Sequence, residues 1–477
     1  MVRLSRALKD NTVCAATFVS LIALVACGGS DGNDATETDT ARLAGEPGTM
    51  DPDSTVTPGT TPSGEEDPLL GTPLRPAGTE GAFVEDRGEA CVIPPLPTSA
   101  ELQTISTLPD PFLGLNGERI TEKAQWQCRR EEIRQLGETF LYGKKPGKPE
   151  SVTGTVSDTS ITVNVQSPSG SATFSATVSL PPGVTGPVPA IIGLGGSAFQ
   201  PTISEEGVAF INYGFTDVGD ETTNNPKQGA FYTVNPERQD TGMLIAWAWG
   251  LSRIIDGLEL CPEAGIDLKA IAVTGCSRNG KGALAMGAFD ERVALTLMQE
   301  GGSGGSAAWR ISEAEKKAGQ KIQESSEIVG EANWQGADFK QYANGMNSKL
   351  SADQHFAVAL CAPRAVLLLE NDIDWLGPLA AYGGGIAGQM VFEALGIKER
   401  CGVSVAPNHG HCTFPTGQQK HLDAFVNRFL KRTTTTNMVV DELNATNSTL
   451  KKFDKATWID WDIPTLSGSL AWDPFAT

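Results

Sequence analysis

Eight residues just past the middle of the chain, Gly275-Cys276-Ser277-Arg278-Asn279-Gly280-Lys281-Gly282, admit few conformations. A run of small and β-branched residues, Ala270 to Thr274, leads in, and a helix-compatible run, Ala283 to Phe289, leads out. Strand, sharp turn and helix in that order lift a serine hydroxyl off the end of a sheet and aim the positive end of a helix at it. The usual pattern for such a turn is G-x-S-x-G, and here the second glycine comes one residue late. The same residues also approach a phosphate-binding loop, but Gly282 stands where a Ser or Thr must hold Mg²⁺. A third reading is a glycine-rich turn without chemistry.

The start of the chain narrows the choice. Arg3, Arg6 and Lys9 precede an apolar stretch, Cys14 to Ala26, that is too short to span a bilayer comfortably. It ends in Leu24-Val25-Ala26-Cys27, which looks like a bacterial lipobox with Cys27 as the lipidated residue; the alternative is an ordinary signal peptide. Export in either form removes the ATP that a phosphate-binding loop would need. Gly28 rather than Asp after Cys27 gives no inner-membrane retention signal, so outer-membrane anchoring, or secretion, is expected. Residues 28–81 are rich in Thr, Asp, Glu, Gly and Pro and read as a disordered tether. The net charge of −20 argues against nucleic acid as a partner. Residues 1–27 are therefore expected to be a leader, 28–81 a tether and 82–477 one folded domain.

Within that domain, Cys91 and Cys128 bracket the entry segment, and export favours a disulfide between them. Arg129 to Tyr142 has helical spacing. Val152–Val156, Ile161–Val165 and Thr173–Leu180 alternate as an antiparallel lead-in. Pro189–Leu194 is a continuous apolar run, suited to a buried parallel strand, and it ends in Gly193-Leu194-Gly195-Gly196. That loop is either part of an oxyanion hole or a tight turn. Val208–Tyr213 is a further strand, and Thr241–Asp256 a helix whose Trp247 and Trp249 read as core. Val293–Leu297, Ala365–Glu370 and Gly402–Val405 follow as strands, the last of them succeeded by a helix over Gly417–Lys431. Strands alternating with helices make a parallel sheet covered on both faces, with strand ends converging on one crevice.

A serine needs a base, usually a histidine oriented by a carboxylate. The chain has four histidines. His355 and His421 lie in helix-like contexts; His409 and His411 lie in the loop after the last expected strand. Cys276 precedes Ser277 and Cys412 follows His411. If those cysteines pair, their Cα atoms lie about 4.4–6.8 Å apart. One further step of about 3.8 Å on each side then brings Ser277 and His411 together, which favours His411 as base. For the carboxylate, Glu300 ends one strand and Asp372 and Asp374 follow the next, and general considerations leave the three open.

The elbow, together with Gln299-Glu300-Gly301-Gly302-Ser303-Gly304-Gly305, Trp309-Arg310-Ile311-Ser312, Ile373-Asp374-Trp375-Leu376-Gly377-Pro378 and His411-Cys412-x-Phe414-Pro415, closely resembles the glucuronoyl esterases, carbohydrate esterase family fifteen, in their fungal-type branch. The late glycine is that family's own form of the turn. The resemblance covers the chain from about Ala82 onward. It implies an α/β-hydrolase fold: a three-layer sandwich with a largely parallel central sheet and an antiparallel N-terminal β lead-in. It implies Ser277 as nucleophile, His411 as base, Glu300 as acid and Arg278 as the oxyanion stabiliser, with Asp374 in reserve, on the later strand where the acid of some bacterial members is placed. Lys281, Gln323, Glu331 and Trp375 resemble the positions that hold the sugar hydroxyls of a glucuronate ester. Without the family, Lys281 and Glu331 would read as solvated surface and Trp375 as core.

The pattern is not followed throughout. Ala307 and Ala308 stand where fungal-type members begin a third disulfide. Cys261, Cys361 and Cys401 are left over, and Cys361 with Cys401 is a candidate pair. The expected activity is hydrolysis of esters between 4-O-methyl-glucuronate on glucuronoxylan and lignin alcohols, by a monomer, without cofactor or metal. Two other readings remain: another carbohydrate esterase, such as an acetyl-xylan esterase, and a catalytically silent surface glycan-binding protein.

Overall fold

The computed structural model describes residues 12–15, 83–157, 159–184, 186–195, 207–446 and 453–476. The lipobox with Cys27, the tether over 28–81 and Gly196 lie outside the described residues.

Eleven strands form one sheet in the order β1-β2-β3-β4-β6-β5-β7-β8-β9-β10-β11. They are β1 Thr12–Ala15, β2 Ser151–Val156, β3 Ser160–Ser167, β4 Gly170–Ser179, β5 Val188–Leu194, β6 Ala209–Tyr213, β7 Ile266–Cys276, β8 Leu295–Gln299, β9 Ala365–Asn371, β10 Cys401–Ala406 and β11 Asp441–Leu443. The pairs from β1 to β4, and β4 with β6, are antiparallel; β5 with β6 and everything from β5 through β11 is parallel. Side-chain alternation explains the difference. In β3, Ile161, Val163 and Val165 are buried, while Thr162 and Asn164 on the other face hydrogen-bond to Ser175 and Thr173 of β4. One dry and one wet face suits an antiparallel lead-in.

The parallel strands are dry on both faces. Ile192, Val273, Met298 and Leu368 pack on one side, with the helices Met243–Leu260, Arg278–Phe289 and Pro378–Ala394. Ile191, Ala272, Leu297 and Leu367 pack on the other, against Leu422, Phe425 and Val426 from the C-terminal helix Thr416–Phe425 and the turn after it. These are the three expected layers. Trp247 and Trp249 are fully buried in the first core, as their setting suggested.

Boundaries moved where local chemistry overrode pattern. The helix expected over Arg129–Tyr142 begins at Trp126, because Glu122 and Gln125 form a capping box on the preceding turn. It widens into a π turn over Glu138–Tyr142. The strand expected over Val293–Leu297 runs instead over Leu295–Gln299, which puts Glu300 directly at its end. Strand β10 is not the last: β11 pairs beside it, too short and too acidic to carry an apolar signal. Strand β1, from the segment read as leader, pairs antiparallel with β2.

Cys91 and Cys128 are bonded, with Cα atoms 5.4 Å apart, tying the N-terminal arm to the helix Trp126–Gly137. The candidate pair Cys361–Cys401 is not formed; both are buried thiols. The Cys361 sulfur faces the Ala357 carbonyl of its own helical turn and the Thr296 hydroxyl, at 3.7 and 3.9 Å. Burial pushes both thiols above their ordinary pKa. Two disulfides among the described residues suit an exported protein.

Candidate active site

The backbone at Ser277 has φ 60° and ψ −129°, a conformation unfavourable for any residue with a side chain. Its N–H donates to the Gln299 carbonyl at 3.0 Å, and its own carbonyl accepts the Lys281 N–H that starts the helix Arg278–Phe289. The late glycine has a steric cause. A Cβ on Gly280 would lie 2.4 Å from the Gln299 carbonyl oxygen, and one on Gly275 2.3 Å from that of Asn279. The helix thus docks onto β8 through position 280. Position 279, where the usual pattern has glycine, is free to carry Asn279, whose Nδ2 donates to the Leu194 carbonyl at 3.0 Å. That bond ties the glycine loop after β5 to the first turn beyond the serine.

His411 comes to the elbow from the loop after β10. The Cys276–Cys412 disulfide sets the two Cα atoms 5.7 Å apart, inside the expected range. His411 Nδ1 donates to Glu300 Oε2 at 2.7 Å, leaving Nε2 as the basic nitrogen. Glu300 has no solvent exposure, so its charge must be met by donors. Besides His411 it accepts from the Cys412 N–H at 2.9 Å, and from Asn371 Nδ2 and Gln299 Nε2 at 3.3 Å each. Ser277 Oγ has no hydrogen-bond partner among the described residues, and contacts of this kind often close only around substrate. Of the five described non-glycine residues with positive φ, four (Ser277, Glu300, Asn408 and Cys412) lie at this crevice, so backbone strain concentrates where the chemistry would be.

The remaining candidates separate cleanly. Asp372 accepts from the Thr446 N–H and hydroxyl at 2.7 and 2.6 Å. Asp374 is exposed on the turn Asp374–Leu376. Neither meets His411. His409 accepts from Asn371 Nδ2 at 3.1 Å and donates from Nε2 to the Ala406 carbonyl at 3.1 Å, so it props Asn371 under Glu300. His355 is buried against the Pro109 carbonyl, and His421 pairs with Glu442.

Lys281 lies one turn beyond Ser277 and is buried, contrary to its surface-like sequence setting. Its Nζ donates to the Gly301 carbonyl at 2.5 Å and sits 5.6 Å from the Trp334 ring centroid. Burial pushes its pKa down to about 8, opposed by the charges of Glu370 and Glu331. Gln323 Nε2 donates to Glu331 Oε2 at 2.6 Å, and the Gln323 N–H to the Trp375 carbonyl at 3.0 Å. Trp375 is 42% exposed, not core, and stands edge-on to His411 with ring centroids 4.9 Å apart. The four residues thus form one wall beside the histidine. Arg278, at the exposed start of the helix, donates from Nε to Glu221 Oε1 at 2.7 Å.

Glu221, Trp334, Glu370 and Asn371 escape a reading of the sequence. Glu370 accepts from Ser306 Oγ at 2.5 Å, and burial raises its pKa to about 7. Its position at the end of β9 is the one available signal. Donor atoms of Cys276, Glu300, His411 and Cys412 lie within 4.8 Å of one another. The two sulfurs are bonded to each other, which leaves one nitrogen and one carboxylate, fewer ligands than a zinc site needs.

A parallel sheet that offers a strained serine between strand and helix, and returns a histidine to it from the loop after a later strand, has the α/β-hydrolase architecture; the chain is a serine hydrolase of that fold. A family profile described as "Glucuronyl esterase, fungi" matches residues 163–396. A 4-O-methyl-glucuronoyl methylesterase of Neurospora crassa is 41% identical over 372 residues, 78% of this chain and 91% of that protein. The glucuronoyl esterase catalytic domain from Hypocrea jecorina superposes with a TM-score of 0.73 at 40% identity, covering 78% of this chain and 100% of that one. A serine-to-alanine variant of a Sporotrichum thermophile glucuronoyl esterase, solved with methyl 4-O-methyl-β-D-glucopyranuronate, gives 0.72 at 38% identity, covering 77% and 97%. The chain belongs to the glucuronoyl esterase family and is a carboxylic ester hydrolase.

Proposed function

We propose that this enzyme cleaves the ester between the carboxyl of 4-O-methyl-glucuronate on glucuronoxylan and an alcohol of lignin. The observation that carries the reading is the continuity of the site: the His411–Glu300 pair runs directly into the wall of Trp375, Gln323, Glu331 and Lys281. Ser277 Oγ attacks the uronate carbonyl carbon while His411 Nε2 takes its proton. The carbonyl oxygen becomes an oxyanion, met by Arg278 and the helix N-terminus. As the tetrahedral species collapses, the ester C–O bond breaks and His411 returns the proton to the leaving alkoxide. Water repeats the sequence on the acyl-enzyme, freeing the uronic acid and Ser277. Glu300 holds the imidazole and faces the positive charge it takes up. The wall grips the hydroxyls of the uronate acyl group, which an acetyl group lacks.

The test is hydrolysis of a benzyl ester of glucuronic acid beside an acetylated xylan, with wild type and Ser277→Ala. Turnover of the glucuronate ester alone, abolished in the variant, is expected. Turnover of acetyl groups alone would replace the substrate, and turnover of neither would bring back a glycan-binding protein.

Lys281 gives the reading a pH signature. A lysine held at about 8 is charged below that pH and a neutral, weaker donor above it. KM for the glucuronate ester should stay level up to about pH 8 and rise several-fold beyond it. In Lys281→Met, KM should be high and flat across the range; an unchanged rise in that variant would remove Lys281 from binding.

The location proposed with this activity is the outer membrane, through a lipid on Cys27. Cleavage before Cys27 would remove β1 and leave β2 as the sheet edge. Cys27→Ala should move the protein from the membrane fraction to the soluble one; unchanged fractionation would sink the anchor.

A further inference from the structure

A half-exposed arginine wanders among rotamers unless something holds it, and a screened, wandering charge stabilises an oxyanion poorly. Arg278 is held by Glu221. The two carboxylate oxygens divide the work: Oε1 accepts from Arg278 Nε at 2.7 Å, and Oε2 from the Trp334 indole N–H at 2.8 Å. Trp334 is itself fixed. Its ring is buried, and its carbonyl accepts the Leu244 N–H at 3.2 Å, at the start of the helix Met243–Leu260. Glu221 adjoins Asp220, whose backbone pairs with Gln228. The Glu221 side chain is mostly buried, while that of Arg278 is 48% exposed. Only Nε is engaged; among the described residues the two Nη nitrogens have no hydrogen-bond partner. The face of the same indole carries the Lys281 ammonium.

We propose that Glu221 is a positioning residue for the ester hydrolysis: by bridging Trp334 and Arg278 it aims the free guanidinium edge at the carbonyl oxygen that turns negative. Trp334 then couples this aim to Lys281 in the sugar wall. The inference rests on the oxyanion role assigned to Arg278 above. Its partial neutralisation of the guanidinium is the smaller effect, because geometry decides what a donor contributes at a developing charge.

The experiment compares wild type with Glu221→Gln, Glu221→Asp, Arg278→Ala and the Glu221→Gln/Arg278→Ala double variant, in full-length protein on the benzyl glucuronate ester, with thermal unfolding alongside. Glu221→Gln should lower kcat by about 10- to 100-fold, with KM changed by less than about twofold and the melting temperature nearly unmoved. Glu221→Asp should recover part of the loss. In the Arg278→Ala background the second substitution should cost nothing further. Trp334→Phe, which removes the bridging N–H and also shrinks the buried ring under Lys281, should give a smaller kcat loss together with a rise in KM, and serves if Glu221→Gln does not fold. Unchanged or faster turnover in Glu221→Gln, or an equal loss with Arg278 already absent, overturns the inference. Full activity in Arg278→Ala would instead overturn the role of Arg278, a distinguishable failure.

Discussion

Glu300→Gln is expected to lower kcat by about 10³- to 10⁴-fold while leaving the fold intact. Glutamine nearly conserves the volume of the side chain but not its charge. It must also satisfy His411 Nδ1 and the Cys412 N–H, which both now donate to Oε2. If the amide turns its NH₂ toward His411, the imidazole is driven to the tautomer whose Nε2 carries the proton and cannot act as base. If it turns its oxygen, the imidazolium formed in the transition state has lost its counter-charge at a position, that of Glu300, which solvent does not reach. Steady-state kinetics on a glucuronate ester, with circular dichroism to verify folding, read the effect. Asp374→Asn and Asp372→Asn should stay within about twofold of wild type, since neither side chain reaches the histidine. A mild effect at Glu300 with a severe one at Asp374 would transfer the role to the later strand.

The second large effect belongs to the Cys276–Cys412 bridge. It closes a sequence separation of 136 residues, for which loop entropy alone gives about 5 kcal/mol of stabilisation. Cys276→Ala/Cys412→Ala should therefore lower stability toward denaturant by an amount approaching that figure. It should also cost about tenfold or more in kcat at temperatures where the variant is folded, because the bridge holds nucleophile and base in register. The bridge Cys91–Cys128 separates the two effects. It spans 37 residues and by the same relation contributes about 4 kcal/mol, yet it lies in the entry segment. Removing it should lower stability and leave kcat unchanged. Equal kcat losses from both would mean that the Cys276–Cys412 bridge acts through global stability alone.

Much of this site is legible in the amino-acid sequence because its logic is local. The elbow is a strand, a turn and a helix within twenty residues, and each step has a steric or dipolar reason that sequence carries. The cysteines beside Ser277 and His411 turn a long-range juxtaposition into a local one. The two edge strands β1 and β11 leave no such mark, because three or four residues hold too few apolar positions to show a period. The pairing of Cys361 with Cys401 is read from leftover cysteines that precede two core strands, and the two remain separate buried thiols, with Cys361 Sγ facing the Ala357 carbonyl of its own helical turn.

The core of the backbone route follows from the chain alone: the central strands, the strained turn at the serine, and which histidine loop returns to it. Short-range sterics and apolar alternation settle those matters. Packing in three dimensions was needed to settle the rest: which carboxylate meets His411, why the second glycine is late, that Lys281 is buried and Trp375 exposed, and that Glu221 bridges Arg278 and Trp334 across 57 and 113 residues of chain. Contacts of that kind leave no periodic trace, since a charge finds its partner in space and the intervening chain is free to be anything that closes the loop.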